Sequence, residues 1–186
     1  SYRAGLSVVK TPKSITGTYI PAAGDFNGDS FEDIYWYGTW DRPDARWNGT
    51  ATTGSFTSGS GAQAGSLLPV PGDFNGDGAA DLATGIPDDE DLDSGAENCG
   101  RVVVRWGVPG RGLAAGPATT VLHQALDGSP DPPATYDRFG AALAAGDFNG
   151  DGYDDLAVGV PNIAQSTNVY GAVQIYYGWS TGFQTE

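Results

Sequence analysis

The sequence predicts an all-β fold made of three repeated units. The phrase Gly-Asp-Phe-Asn-Gly-Asp occurs three times, beginning at Gly24, Gly72 and Gly146. An apolar run long enough for one strand follows each copy, and no stretch shows convincing helical periodicity. Successive copies lie 48 and 74 residues apart. Repeats of roughly 40 to 50 residues with about four short strands each are typical of β-propeller blades, and the longer spacing fits loop insertions.

Each copy of the phrase offers the oxygen atoms of a metal-binding loop. If the first Asp is loop position one, positions one, three, five and nine are Asp, Asn, Asp and Asp in all copies. Position seven varies, which suits a ligand that contributes only its backbone carbonyl. Such a set suits Ca2+, which takes about six to eight oxygen ligands, whereas Mg2+ keeps more waters and Zn2+ prefers Cys and His. The predicted ligands of three calcium ions are Asp25, Asn27, Asp29, Phe31 and Asp33; Asp73, Asn75, Asp77, Ala79 and Asp81; and Asp147, Asn149, Asp151, Tyr153 and Asp155.

Electrostatic repulsion within each loop supports the need for a cation. Two unit charges about 4 Å apart repel by roughly 4 kcal/mol at an effective dielectric constant near 20, so three carboxylates cost on the order of 12 kcal/mol. A divalent cation reverses the sign of this cost. Position six is Gly78 or Gly152 in two loops but Ser30 in the first. If that position requires a positive φ, the first loop is the most strained and the weakest site.

Two other interpretations of the loops fit the sequence less well. An EF-hand shares the Asp-x-Asn-x-Asp opening but needs a bidentate Glu at position twelve and two flanking helices. Position twelve is Trp36, Thr84 or Val158, and the flanking segments are short and β-rich. Plain acidic turns are the other alternative, but three copies that all retain the ninth-position Asp favour metal binding.

We expect residues 1–186 to form one repeat domain. Its blades are predicted at residues 14–66, 67–126 and 127–186, and residues 1–13, which include Leu6 to Val9, are a possible outer strand of a neighbouring blade. Strands are expected at 34–37, 46–48, 55–57, 67–70, 82–86, 101–106, 119–124, 156–160, 172–177 and 182–184. An acidic loop is expected at 88–98 and a polar loop at 162–168.

Composition restricts the partners and the location. The formal net charge is −14, which makes nucleic acid an improbable partner and disfavours anionic membranes. No run approaches 18 apolar residues, so no membrane insertion is expected. Cys99 is the one cysteine, so no disulfide forms within the chain. Weak calcium sites stay filled where calcium is millimolar, which favours an extracellular or periplasmic location, and we expect a secreted, extracellular protein.

The third unit resembles a known repeat. Arg138-Phe139-Gly140, the loop phrase, and then the run from Asp155 to Pro161 are similar to the FG-GAP repeat of the integrin α-subunit β-propeller. The second unit matches over 72–87 without a preceding Phe-Gly, and the first is more similar to bacterial VCBS-type repeats. The resemblance implies calcium in the hairpin loops between blade strands one and two. It also implies extracellular work in adhesion, in carbohydrate binding, or as an appendage of secreted enzymes.

The number of units departs from the family pattern. Propellers close with about four to eight blades, so three blades cannot close a ring. Open sheet edges would remain at both ends and would favour association. We therefore expect either a homo-oligomer, such as two chains giving six blades or a head-to-tail assembly, or a piece of a larger propeller.

The function predicted from these features is a calcium-stabilised extracellular binding or adhesion module for a glycan or protein, without catalytic activity. Trp40, in an expected turn, is the candidate for stacking on a sugar ring. The alternatives are the propeller portion of a secreted carbohydrate-active enzyme and a structural, self-assembling scaffold. Against an enzyme, His123 is alone, and neither a Ser-His-Asp order nor Gly-x-Ser-x-Gly is present.

Overall fold

The structure is a computed structural model that describes residues 19–38, 45–49, 55–58, 68–90, 95–113, 119–124, 134–165 and 168–184. Within these ranges the regular elements are all strands, and no helix is present that would be long and apolar enough to cross a bilayer. The predicted outer strand at residues 1–13 and the candidate Trp40 lie outside the described residues. The all-β prediction is confirmed.

The first two sheets are four-stranded antiparallel meanders. The first contains β1 (Tyr19–Gly24), β2 (Asp33–Gly38), β3 (Ala45–Asn48) and β4 (Ser55–Ser58), in that spatial order. The second contains β5 (Leu68–Gly72), β6 (Asp81–Ile86), β7 (Arg101–Arg105) and β8 (Thr119–Leu122). The strands β2 to β8 each begin and end within about two residues of their predicted positions, because alternating apolar runs are a strong signal for half-buried strands.

The third sheet differs from the other two. Its strands are β9 (Ala142–Gly146), β10 (Asp155–Gln165) and β11 (Asn168–Tyr176), and a separate hairpin follows, formed by β12 (Gly178–Trp179) and β13 (Gly182–Phe183). The predicted polar loop at 162–168 is wrong over most of its length. The register shifts between Val160 and Ile163, and the two strands then pair again from Ile163 with Tyr170 to Gln165 with Asn168. A bulge at Pro161-Asn162 therefore interrupts the pairing, and the hairpin continues beyond it.

The three sheets stack so that their first strands are neighbours. β5 lies between β1 and β9 and contacts both. Four-stranded meanders that stack in this way are propeller blades, which confirms the fold class. One core lies between the first and second sheets and contains Phe26, Tyr37, Leu82 and Ile86. The other lies between the second and third sheets.

The two interfaces obtain their central aromatic side chain from different places. At the first, Tyr37 of β2 is 1% exposed, and its hydroxyl accepts a hydrogen bond of 2.9 Å from Thr84 Oγ1 of the second sheet. At the second, Phe139, which precedes β9, is fully buried among Val102, Val104 and Leu156. The Phe-Gly signature identified in the sequence is thus a packing element between sheets.

Phe74 and Phe148 occupy the same position of the repeated phrase but differ in burial. Phe74 is fully buried and packs 5.2 Å from the Phe183 ring, whereas Phe148 is 52% exposed. Phe74→Ala should therefore lower the free energy of unfolding by about 3 to 5 kcal/mol, as expected for a buried Phe, while Phe148→Ala should change it by less than about 0.5 kcal/mol. Urea unfolding of the two variants measures the difference, and equal losses would contradict this sheet order.

Candidate metal-binding loops

The repeated phrase forms the turn between the first and second strands of each sheet. The loops run between β1 and β2, β5 and β6, and β9 and β10, and each ends at the ninth-position Asp that begins the second strand. In every sheet that Asp pairs across the ladder with the Gly that ends the first strand. Antiparallel pairing therefore fixes both ends of each loop, and the intervening residues must curl.

One hydrogen-bond pattern recurs in all three loops. The position-five N–H donates to Oδ1 of position one and to Oδ1 of the Asn at position three. The position-six N–H donates to Oδ2 of position one, and the position-seven N–H donates to Oδ1 of position five. These bonds join Asp29, Ser30 and Phe31 to Asp25, Asn27 and Asp29 at 2.6 to 3.0 Å; Asp77, Gly78 and Ala79 to Asp73, Asn75 and Asp77 at 2.9 to 3.1 Å; and Asp151, Gly152 and Tyr153 to Asp147, Asn149 and Asp151 at 2.9 to 3.1 Å.

The ninth-position carboxylates are fully buried. Asp33, Asp81 and Asp155 each accept a hydrogen bond from the N–H of a Gly that follows the third strand, namely Gly49 at 2.8 Å, Gly107 at 2.7 Å and Gly178 at 2.9 Å. In the second and third loops, the other carboxylate oxygen accepts from the N–H of Phe74 or Phe148. In the first loop, Oδ2 of Asp33 has no hydrogen-bond partner among the described residues. Each of these carboxylates therefore ties its loop to the end of strand three.

The glycines that donate to these carboxylates cannot carry a side chain. A Cβ placed on Gly49, Gly107 or Gly178 would lie 2.3 Å from the backbone oxygen of loop position eight, which belongs to Glu32, Ala80 or Asp154 respectively. The requirement for glycine at these three positions was missed in the sequence analysis. The glycines follow the first Asp of their loops by 24, 34 and 31 residues, so they do not repeat at a fixed spacing.

Burial raises the pKa of three of the loop acids. Desolvation raises the pKa of Asp81 to about 8, although hydrogen bonds from Gly107 and Phe74 oppose the shift, and the charges of Asp73 and Asp77 add to it. Desolvation also raises the pKa of Asp33 and of Asp73. A cation beside these carboxylates would favour their ionised forms.

The donor chemistry of the loops fits calcium. Each loop offers carboxylate and amide oxygens, without Cys or His. Oδ2 of Asp33, which has no hydrogen-bond partner in the part of the chain that the structure describes, is a buried acceptor that a cation or a donor would satisfy. Within the described ranges, no three His, Cys, Asp or Glu side chains form a ready-made metal cluster. The acids are turned instead toward the N–H groups of their own loops, so the ligand set stays a prediction.

The position-seven residues differ in environment. Phe31 is 40% exposed and Ala79 is fully buried. Tyr153 is half-buried, and its ring lies 5.8 Å from that of Trp179. Side chains so different in size and exposure are compatible with a role for the backbone carbonyl alone.

Consecutive loops are bonded to each other, which the sequence did not reveal. The N–H of Ala80 donates to the carbonyl of Asp25 at 2.7 Å, and the N–H of Asp154 donates to the carbonyl of Asp73 at 3.1 Å. In both cases position eight of one loop bonds to position one of the preceding loop. Asp154 adds a second bond, because its Oδ2 accepts from the Asp73 N–H at 2.9 Å. In the other two loops position eight is Glu32 or Ala80. The Asp is therefore not repeated at this position, and the sequence did not indicate that Asp154 bonds to the preceding loop.

Comparisons with known proteins support the repeat and cover a small part of the chain. Residues 139–176 match the family model described as FG-GAP repeat. The chain is 52% identical over 46 residues to phosphatidylinositol-glycan-specific phospholipase D of Mus musculus, covering 24% of this chain and 6% of that protein, with the same values for the Homo sapiens protein. It is 44% identical over 52 residues to integrin alpha-8 of Gallus gallus, covering 27% of this chain and 5% of that protein. The chain therefore matches about a twentieth of the length of these relatives.

Position six requires a positive φ, and Ser30 is the residue poorly suited to it. Its φ is 70°, close to 86° for Gly78 and 92° for Gly152. Ser30→Gly should raise the free energy of unfolding by about 1 kcal/mol, because a left-handed backbone conformation costs non-glycine residues about that much. Gly152→Ser is the matched control and should lower it by a similar amount. Thermal unfolding compares the two variants, and loss of stability in Ser30→Gly would show that the serine side chain stabilises the loop.

Proposed function

We propose that this chain, in which residues 139–176 are an FG-GAP repeat, is a calcium-stabilised extracellular module that binds a glycan or protein ligand and is not catalytic. One observation carries the proposal: three loops with a common hydrogen-bond pattern each gather carboxylate oxygens at the turn between strands one and two of a sheet. Carboxylate clustering of this kind is costly without a cation and is the usual chemistry of calcium loops.

The loops are placed where a bound cation would stabilise the stack of sheets. Asp73 is tied to Asp154 of the next loop through backbone and side-chain bonds, and Asp81 reaches Gly107 at the end of strand three. The residues predicted as ligands therefore also hold neighbouring strands together. Calcium at the loops would supply the positive charge that these acids share, and this would couple metal binding to folding.

An extracellular location follows from the same chemistry. Weak calcium sites stay occupied where calcium is millimolar, as it is outside cells. The similarity to integrin alpha-8 agrees with such a location and favours adhesion as the class of function. The similarity to a phosphatidylinositol-glycan-specific phospholipase D favours a second candidate, in which the module is the non-catalytic portion of a secreted enzyme.

Calcium removal provides the direct test. Calcium at one hundred times its dissociation constant should stabilise the folded chain by about 2.7 kcal/mol per site, so chelation should lower the unfolding midpoint by several degrees. Asp151→Asn should reduce this calcium-dependent shift, because it removes one negative charge while keeping an acceptor for the Tyr153 N–H. Differential scanning calorimetry with calcium, with magnesium and with a chelator measures both effects.

Glu90→Gln is the matched control for charge, because Glu90 is exposed and lies outside the three loops. It should leave the calcium-dependent shift unchanged. Superimposable melting curves with calcium and with chelator would contradict a structural role for the ion, whatever the behaviour of the variants.

Ligand binding is tested separately from calcium binding. Trp40→Ala should weaken binding to a glycan by about five- to thirtyfold if the indole stacks on a sugar ring, because such aromatic contacts are worth about 1 to 2 kcal/mol. Trp179→Ala, which removes an indole that is 47% exposed elsewhere on the chain, is the control. A glycan array followed by titration calorimetry measures both, and equal affinities for the two variants would remove Trp40 from the site.

A further inference from the structure

The third loop holds the second through a residue that lies between two of its own predicted calcium ligands. Asp154 occupies position eight, between the backbone carbonyl of Tyr153 and the carboxylate of Asp155. Its N–H donates to the carbonyl of Asp73 at 3.1 Å, and its Oδ2 accepts from the N–H of Asp73 at 2.9 Å. One residue of the third loop therefore binds both backbone groups of position one in the second loop.

Asp73 is the residue around which the second loop curls. Its Oδ1 accepts the N–H of Asp77 at 3.1 Å, and its Oδ2 accepts the N–H of Gly78 at 3.0 Å. An Asp side chain has few rotamers, so the orientation of its backbone limits where its two oxygens lie. By holding the backbone of Asp73 on both sides, Asp154 therefore sets the direction in which a predicted calcium ligand points.

Aromatic and backbone contacts join the same two loops. A Cβ on Gly76, at position four of the second loop, would lie 2.6 Å from Cε1 of Tyr153, so the ring of the third loop rests on that glycine. The ring of Trp179 lies 5.8 Å from the Tyr153 ring, and the backbone N–H of Trp179 donates to the carbonyl of Phe74 at 3.1 Å. The third unit thus contacts positions one, two and four of the second loop.

The first and second loops are joined in a simpler way. The N–H of Ala80 donates to the carbonyl of Asp25 at 2.7 Å, but a methyl side chain cannot accept a bond from the Asp25 N–H. Position eight of the first loop is Glu32, which is exposed. Among the loops that the structure describes, a side-chain bond between loops is found at Asp154 alone.

This arrangement makes the state of the third loop matter to the second. Positions seven and nine are predicted ligand positions, so the backbone on both sides of Asp154 becomes fixed when the third loop is filled. An ordered Asp154 holds Asp73 without a further loss of conformational freedom, and preorganised ligands bind more tightly. Linkage makes the effect reciprocal, so filling the second loop strengthens the third by the same factor.

From these contacts we propose that the second and third loops bind calcium cooperatively, that Asp154 is the residue that positions Asp73 for this, and that the first loop is coupled to them more weakly. The inference rests on the proposed function, because it requires calcium in the loops. Asp154 is not one of the predicted ligands and acts through Asp73. It adds to the proposed function an interaction between two sites.

Three equivalent glycines allow each loop to be followed separately. Gly28, Gly76 and Gly150 hold position four of the three loops, so a calcium titration of the isotope-labelled chain by two-dimensional NMR gives one midpoint for each loop. Asp151→Asn weakens the third loop directly. It should raise the calcium concentration at the Gly76 midpoint by about fivefold or more, and change the Gly28 midpoint by less than about twofold.

Asp154→Ala tests the positioning residue itself. The calcium concentration at the Gly76 midpoint should rise, and adding Asp151→Asn should then raise it little further, because the two changes act on the same coupling. Asp154→Asn is the rescue variant, since its amide oxygen can still accept from the Asp73 N–H, and it should behave like the native chain. The Asp151→Asn titration leaves both bonds between Asp154 and Asp73 in place, so it tests the coupling even if Asp154→Ala does not fold.

Glu32→Ala is the matched control, because it removes the position-eight acid of the first loop. It should leave the midpoints of Gly28 and Gly76 nearly unchanged. If all three glycines respond to calcium but Gly76 keeps its midpoint in Asp151→Asn and in Asp154→Ala, the loops bind independently and the inference is wrong.

Two other results would also decide against it. An equal rise of the Gly76 midpoint in Asp154→Asn and Asp154→Ala would show that the charge matters and the bond to Asp73 does not, which would overturn the positioning role. If neither Gly76 nor its two counterparts respond to millimolar calcium, the proposed function fails, and this inference fails with it.

Discussion

The buried carboxylate at loop position nine is the constraint on which the rest of each unit depends. Asp81 begins β6, accepts the N–H of Phe74 from its own loop and accepts the N–H of Gly107 beyond β7. One side chain thus holds three segments of a sheet together. An ionised carboxylate without a counter-charge is costly in such a place, and the raised pKa of about 8 expresses that cost. A proton on the carboxyl or a cation beside it would offset that cost, and the proposed calcium would do so while leaving the neighbouring acids ionised.

This local constraint extends from one sheet to the next through the loops. Position eight of each following loop bonds to position one of the preceding loop, at Asp25 and at Asp73. The fully buried Phe26 and Phe74 follow those two residues directly and pack against the next sheet. Charge, backbone bonding and apolar burial therefore meet at the same corner of the first and second units. A change in the charge of one of these loops should therefore also affect how its sheet packs against the next sheet.

The sequence predicted the features that repeat at fixed spacing and missed those that do not. Strands such as β7 and the positions of the loop acids were predictable because alternation and the repeated phrase are local signals. The positive φ of Ser30 followed from its place among equivalent glycines. Gly107 and its counterparts were not predictable, because the hairpins before them differ in length. Strand pairing beyond Pro161 was not predictable either, since five of the seven residues at 162–168 are polar and show no alternation of apolar and polar positions.

The two interfaces show that the aromatic side chain between sheets has no fixed origin. Tyr37 comes from the second strand of its own sheet and uses its hydroxyl to satisfy Thr84. Phe139 comes from the following unit and requires glycine beneath it. Close-packed interiors fill a fixed volume by placing a large side chain on one surface opposite a small one on the other. Either surface can carry the large side chain. At each described interface one side therefore supplies the ring and the other leaves the space for it, with Tyr37 coming from the preceding sheet and Phe139 from the following unit.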